Sequence, residues 1–196
     1  MLLRRLLAEP TPDMEGIEAQ LDALGHAARL AEVTSLGKKE QAILFDAAQG
    51  FRVVELLDFV PEGKPPLTGV VHHGKNSLPL FNRFAKVFCR PDGDAPEGEL
   101  WGYNRSSALV ETTVGPGYFV AGLRPEHGDI LVDYLRLPPR HPEGWPPILP
   151  NEARLSRFVY NGTQDAVRKV SRHVSVGRAS RAGRDLPNWF VLCRED

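Results

Sequence analysis

Short β-type runs separated by turn residues occupy most of the chain after residue 66, and they constrain the fold more than any other feature. No long helical pattern lies between the runs, so a parallel sheet with crossover helices is excluded. Turn signals such as Gly115-Pro116-Gly117 and Asn161-Gly162 punctuate them. The pattern predicts an antiparallel barrel or sandwich with strands at about 68–73, 83–89, 99–104, 108–114, 117–122, 129–137, 154–161, 171–177 and 188–194.

The stretch from Gly115 to Leu137 predicts a β-hairpin whose turn lies at 123–128. Successive side chains of a strand point to opposite faces, so in the second arm Asp133 shares a face with Leu131, Leu135 and Leu137. A carboxylate on an apolar face is costly to bury unless it is paired, hydrogen-bonded or protonated. Asp133 is therefore the candidate catalytic base or ligand anchor, and the alternatives are a structural ion pair with Arg157 or an exposed position.

Residues 1–50 predict a helical segment. We expect Thr11 to cap a first helix that ends at Gly25, a second helix over His26–Ser35 and a third over Lys38–Ala48. Each helix has one apolar face, which is typical of packing on a domain core and also suits a partner-binding surface. The run from 51 to 60 suits either a strand or a short helix.

Residues 138–150 contain six prolines around Trp145. Proline lacks a backbone donor and fixes φ, so this segment is excluded from the interior of a sheet. The two interpretations are a stiff surface connection and a lid that places Trp145 over a barrel mouth.

Composition excludes several classes of function. The net charge of −1 gives no general attraction to nucleic acid or to an anionic membrane. The histidines lack metal-ligand spacing, and no phosphate loop or dinucleotide fingerprint occurs, so neither a metal nor a cofactor is predicted. Two cysteines make no disulfide framework, and no apolar run reaches membrane-spanning length. The apolar residues at positions 1–7 form too short a run for a signal peptide and lack its small-residue cleavage site. We therefore expect a cytoplasmic location.

A basic run lies between Asp165 and Asp185, with six Lys or Arg residues and no acidic residue. Such a run suits an anion site. The alternative is a solvated edge strand that its charges protect against pairing with another chain.

Together these patterns predict one α+β domain over residues 1–196. A helical segment (1–50) packs on an antiparallel barrel of about eight to nine strands (51–196), similar in architecture only to the small lipid-binding barrels, since the Gly-x-Trp signature of lipocalins is not present. The leading hypothesis is a pocket for an apolar or amphipathic small molecule. An acid/base enzyme of isomerase or cyclase type and an interaction module using the helices are the alternatives. The predicted ligand-binding residues are Trp101, Tyr103, Tyr118, Asp133 and Arg157.

Overall fold

The computed structural model describes residues 2–79, 82–93, 95–105, 115–150 and 161–196. Its eight described strands form a closed barrel in which every strand pairs antiparallel with the next and β8 pairs with β1. This confirms the predicted α+β barrel. The strands are β1 (Val70–Asn76), β2 (Arg83–Cys89), β3 (Glu99–Arg105), β4 (Tyr118–Arg124), β5 (Asp129–Asp133), β6 (Thr163–Lys169), β7 (Val174–Arg181) and β8 (Arg184–Arg194).

Four helices precede the barrel: α1 (Leu2–Leu6), α2 (Met14–Ala23), α3 (His26–Ser35) and α4 (Lys38–Ala47). The last two agree with the predicted bounds, whereas α1 was not predicted. The predicted cap at Thr11 is wrong, because Asp13 caps α2 and its carboxylate accepts a hydrogen bond from the Gly16 N–H at 3.0 Å. A 3₁₀ helix, Leu56–Asp58, follows within the run that suited either a strand or a short helix.

The strand predictions differ from the structure in several places. The strand predicted at 171–177 overlaps β7 only at 174–177, and the one predicted at 188–194 begins four residues after the start of β8. The second hairpin arm ends at Asp133 rather than 137, and Leu135 and Leu137 are exposed. Strand β6 was missed, since its sequence Thr-Gln-Asp-Ala-Val-Arg-Lys is largely polar. The predicted strand at 108–114 and all but the last residue of the one at 154–161 lie outside the described residues.

One half of the barrel lumen holds an apolar core to which strands around the whole barrel contribute. Residues 54–60 close this end, and Phe59 and Val60 are buried in the same cluster. We call it the plugged end. The opposite end, where β1 ends and β2 begins, is called the long-loop end, because β3 and β5 also end there and the longest intervals between consecutive strands, from 105 to 118 and from 133 to 163, begin and end there. The strand residues of the core are Val70, Phe88, Leu100, Phe119, Ala121, Ile130, Val132, Val167, Phe190 and Leu192.

The helices cover the outer wall of the barrel at β6, β7 and β8. Leu21 and Leu44 are fully buried there against outward-facing residues such as Val176 and Val191. Among the exposed large apolar residues of the described chain, only Leu2 belongs to one of the four α-helices, and Leu57 belongs to the 3₁₀ helix. The interaction module that uses the N-terminal helices stays a prediction.

None of the helices in the described ranges has the length and apolar character that crossing a bilayer requires.

Replacing Leu44 with Ala is expected to lower the free energy of unfolding by about 2–5 kcal/mol, because the change leaves a cavity between helix and barrel. Val53→Ala is the matched control, since Val53 is 79% exposed, and it should change stability by less than about 0.5 kcal/mol. Urea titration of both variants provides the measurement. Equal stability of the two variants would contradict the packing role of the helices.

Candidate functional site: a charged cluster in the barrel lumen

Lys86 and Asp165 form an ion pair across the lumen. Lys86 is in β2 and Asp165 in β6, four strands away around the eight-stranded barrel, and Nζ lies 3.0 Å from Oδ2. The Lys86 side chain is 2% exposed and that of Asp165 8% exposed. Alternation along β2 explains the placement, because Lys86 shares the inward face with Phe84 and Phe88. The pair therefore joins opposite walls of the barrel.

Two further polar side chains complete the coordination of the ammonium group. Asn104 Oδ1 accepts a hydrogen bond from Lys86 Nζ at 3.2 Å, and the Tyr134 hydroxyl accepts another. With Asp165, these acceptors match the three donors of a lysine ammonium. Asn104 Nδ2 also donates to the Tyr134 hydroxyl at 2.9 Å and to the Gly117 carbonyl at 3.1 Å. The four side chains therefore form one connected network.

Aromatic rings surround the same ammonium group. The rings of Phe84, Phe119, Tyr134 and Phe190 have their centroids between 4.9 and 5.8 Å from Lys86 Nζ. A cation over an aromatic face is stabilised by the ring quadrupole. The rings offset part of the hydration that the ammonium loses on burial.

Glycines opposite three of these rings make room for them. The cross-strand pairs are Gly74 with Phe84, Gly102 with Phe119 and Gly177 with Phe190. A Cβ added at these glycines would lie 2.8, 2.4 and 2.1 Å from the respective ring. Any larger residue at these positions would displace a ring, so the glycines are needed for the packing of the rings around Lys86.

Burial lowers the pKa of Lys86 below its ordinary value, and the nearby carboxylate of Asp165 opposes that shift. Removing two charges from water costs several kcal/mol per ion, and a well-packed apolar pair of similar volume is often as stable. Burial of the ion pair therefore costs free energy that an apolar pair in the same place would not cost. This makes the cluster the strongest candidate for a functional site.

The cluster lies near the long-loop end. Tyr134 directly follows the last residue of β5, Asn104 is the penultimate residue of β3, and Asp165 is the third residue of β6. Long connecting segments at one end of a rigid scaffold often carry binding function. The arrangement offers an acidic, a basic and a hydroxyl group within one apolar lumen, which is suitable for anchoring a polar group or for moving a proton.

The aromatic residues that the sequence analysis placed in a pocket lie on the outer wall. Trp101 packs with Cys89 and Val120, whereas Tyr103 and Tyr118 stack on each other with ring centroids 5.6 Å apart. Their neighbours in the lumen, Leu100 and Phe119, point the opposite way. A role for the three aromatic residues in ligand binding stays a prediction, but the structure does not bring them into the lumen.

Asp133 also points outward, since Val132 and Tyr134 on either side of it belong to the lumen core. Its Oδ1 accepts a hydrogen bond at 2.9 Å from the Leu135 N–H, which fixes the turn after β5. The structure thus gives Asp133 a local backbone partner, and a catalytic role for it stays a prediction. Arg157, its predicted partner, lies outside the described residues.

The proline-rich segment packs along the barrel wall. The Trp145 ring lies 4.7 Å from that of Tyr103, and the Pro146 carbonyl accepts a hydrogen bond from the Tyr118 hydroxyl. An added Cβ at Gly69 would lie 3.4 Å from the Trp145 ring. In the structure Trp145 therefore covers the outer aromatic residues rather than a barrel mouth.

The plugged end carries its own buried polar groups. His72 Nε2 lies 2.9 Å from the Phe59 carbonyl oxygen, and Arg194 donates to the carbonyls of Leu57 and Asp58. Desolvation lowers the pKa of His72 to about 3. These contacts hold the closing segment on the barrel. A nearby cavity of about 10 Å³ has room for about one water molecule.

A larger groove of about 270 Å³ lies outside the lumen, between the 3₁₀ helix and the β2–β3 connection. Two of its charged side chains are already engaged, since Arg90 donates to the Glu62 carbonyl and Glu99 pairs with Arg136 at 2.6 Å. Most of the described residues that line the groove are apolar, glycine or proline, and the charged ones among them are Arg90, Glu97 and Glu99.

The basic run does not form an edge strand, because β6 and β7 each have a partner on both sides. Several of its cations make polar contacts within the protein. Arg168 donates to the Phe45 carbonyl, Lys169 pairs with Asp58 at 2.6 Å, and Arg178 pairs with Asp185 at 2.9 Å. The predicted solvated edge is therefore wrong.

In the described chain, burial and position decide whether the thiols are reactive and whether metal-ligating side chains form a group. Both cysteines are free and buried, and burial raises the pKa of Cys89 to about 12 and that of Cys193 to about 11, so the thiols stay protonated. Among the described residues, no three histidine, cysteine or acidic side chains come together as metal ligands.

The sequence carries a signal for only one member of the cluster, and the cluster was not predicted. Lys86 lies between Phe84 and Phe88 on one strand face, which is the same kind of signal that singled out Asp133. Asp165 and Tyr134 have no such flanking pattern, and only barrel closure brings β6 opposite β2.

Comparison of the chain with family models, with curated proteins and with solved structures finds no match.

Replacing Lys86 alone with Met should lower the free energy of unfolding by about 3–5 kcal/mol, because Asp165 keeps an unpaired charge in the core. The double variant Lys86→Met/Asp165→Leu should recover most of that loss, since it removes both charges. Denaturant titration of wild type, both single variants and the double variant closes the cycle. Additive losses would show that the two side chains are not coupled.

Acid should destabilise the protein through His72. Its folded pKa of about 3 lies below the unfolded value of about 6.5, so the unfolded state binds the extra proton and stability falls as pH drops between these values. The expected slope is about 1.4 kcal/mol per pH unit. His72→Phe, which keeps an aromatic ring beside Phe59 and Phe88, should remove that slope from unfolding curves, whereas exposed His127→Gln should leave it unchanged. An unaltered slope in His72→Phe would contradict the assignment.

Proposed function

We propose that the barrel binds a small apolar or amphipathic molecule in the part of the lumen nearest the long-loop end, with the Lys86 network as its polar anchor. The observation that carries the proposal is the buried Lys86–Asp165 pair, which spans an otherwise apolar lumen. An eight-stranded barrel either fills with side chains or holds one small ligand. Here the apolar core continues from the plugged end to the rings around Lys86, and the charged cluster lies toward the long-loop end.

The chemistry around the cluster supports a ligand of this kind. The rings of Phe84, Phe119 and Phe190 provide apolar contact area, and the network of Asn104 and Tyr134 provides fixed polar groups. Small-molecule sites in proteins are mostly apolar with a few well-placed polar groups. An apolar ligand body would pack against the rings, and its polar end would be oriented by the network.

Acid/base catalysis at the same position is the second candidate. The Tyr134 hydroxyl accepts a hydrogen bond from Lys86 and lies 3.4 Å from Asp165 Oδ2, so three titratable groups are in contact. Such a chain suits proton transfer to or from a bound molecule. Conversion of the bound compound by the wild-type protein, detected by mass spectrometry, would favour this candidate over simple binding.

Native mass spectrometry of the protein purified from its host is expected to show a co-purified small molecule. In Lys86→Met/Asp165→Leu the same adduct should be strongly reduced, because the polar anchor is gone while the fold is kept. The matched control is Asp133→Asn on the outer wall, which should retain the adduct. Circular dichroism confirms that each variant is folded before the spectra are compared.

Two outcomes would contradict the proposal. One is an adduct that persists undiminished in the folded double variant. The other is an adduct that Asp133→Asn removes, which would return the site to the outer-wall residues Trp101, Tyr103, Tyr118 and Asp133.

A further inference from the structure

The two oxygens of Asp165 differ in their partners. Oδ2 accepts from Lys86 at 3.0 Å and lies 3.4 Å from the Tyr134 hydroxyl. Within the described part of the chain, Oδ1 accepts no hydrogen bond, and the Asp165 side chain makes no other hydrogen bond or ion pair. Oδ1 is not among the fully buried atoms that lack a partner, so this oxygen keeps some accessible surface from which a donor can reach it. The Asp165 side chain is also more exposed than that of Lys86, at 8% against 2%.

The lysine, in contrast, has no donor to spare. Its three N–H groups are directed to Asp165, Asn104 and Tyr134. A ligand acceptor would have to displace one of these partners. A ligand donor would add to Asp165 Oδ1 without breaking any bond of the network.

The charges of Lys86 and Asp165 decide whether a neutral or an ionised group of the ligand fits beside them. Lys86 and Asp165 neutralise each other at 3.0 Å. A carboxylate beside them would leave a net negative charge in an apolar lumen, and an ammonium group would leave a net positive one, both of which are costly. A neutral donor adds a charge-assisted hydrogen bond at no such cost.

We infer that the ligand presents a neutral hydrogen-bond donor, a hydroxyl group on an apolar body, to Oδ1 of Asp165. This inference rests on the proposed function, since it requires a ligand in the lumen. The chemical class is an apolar alcohol. The hydroxyl donates to Asp165, and the hydrocarbon part packs against the rings of Phe84, Phe119 and Phe190.

Four probes with one hydrocarbon chain test the inference by isothermal titration calorimetry at about pH 7.5, where the acid is anionic and the amine cationic. They are 1-decanol, decyl methyl ether, decanoate and decylamine, with the six- and eight-carbon series measured in parallel. The alcohol is expected to bind about tenfold or more tightly than each of the others, because it alone supplies a neutral donor.

Two variants test whether the carboxylate of Asp165 or the general shape of the lumen causes the preference for the alcohol. Asp165 is changed in the Lys86→Met background, because changing Asp165 alone would leave the lysine unpaired. Lys86→Met/Asp165→Asn keeps an acceptor at position 165 and should keep a preference for alcohol over ether of about threefold or more. Lys86→Met/Asp165→Leu has no acceptor there and should bind the two compounds equally.

The outcomes distinguish this inference from the proposed function. Equal binding of all four probes to the wild type would overturn the hydroxyl assignment and leave a ligand-binding barrel. Tightest binding of decanoate or decylamine would do the same and identify a charged ligand. An alcohol preference that survives in Lys86→Met/Asp165→Leu would remove Asp165 as its cause. No binding of any probe, together with no co-purified adduct, would overturn both proposals.

Discussion

The ion pair between Lys86 and Asp165 is the interaction on which the lumen depends. It joins β2 to β6 across the barrel, and it fixes the positions of Asn104 and Tyr134, which bind the same ammonium group. Because the interior has a low effective dielectric, leaving one member of such a network without its partner is costly.

The rest of the architecture supports this arrangement from both sides of the wall. Inside, glycines opposite aromatic residues allow rings to lie flat around the lysine. Outside, the helices cover β6 to β8 and Trp145 covers Tyr103 and Tyr118, so both faces of most strands are buried. A strand that is buried on both faces has little freedom to slip in register, because a shift of one residue would exchange its inward and outward side chains. The charged cluster is therefore held on a rigid scaffold.

The two ends of the barrel differ in their chemistry. At the plugged end, His72 and Arg194 bind backbone carbonyls of residues 57–59, and the low pKa of His72 keeps the imidazole neutral. Those groups are used within the protein. At the other end, one oxygen of Asp165 has no donor within the described chain. This contrast separates buried polar groups that stabilise the fold from one that suits recognition.

The sequence by itself determined the class of fold. Period-2 runs with Gly and Pro turns predicted the antiparallel strands, β2 appeared with its observed bounds, and the apolar faces of α3 and α4 predicted packing on a core. The sequence did not indicate the position of the charged cluster, because closure of the whole barrel decides which face of a strand points inward. The leucines beside Asp133 suggested a buried face, whereas Leu135 and Leu137 lie beyond the strand end and are exposed. Strand β6 was not predicted because its sequence is largely polar, including Asp165, whose side chain points into the lumen. Only the tertiary structure brings Lys86 and Asp165 together, because residues far apart in sequence meet through pairing that local periodicity does not encode.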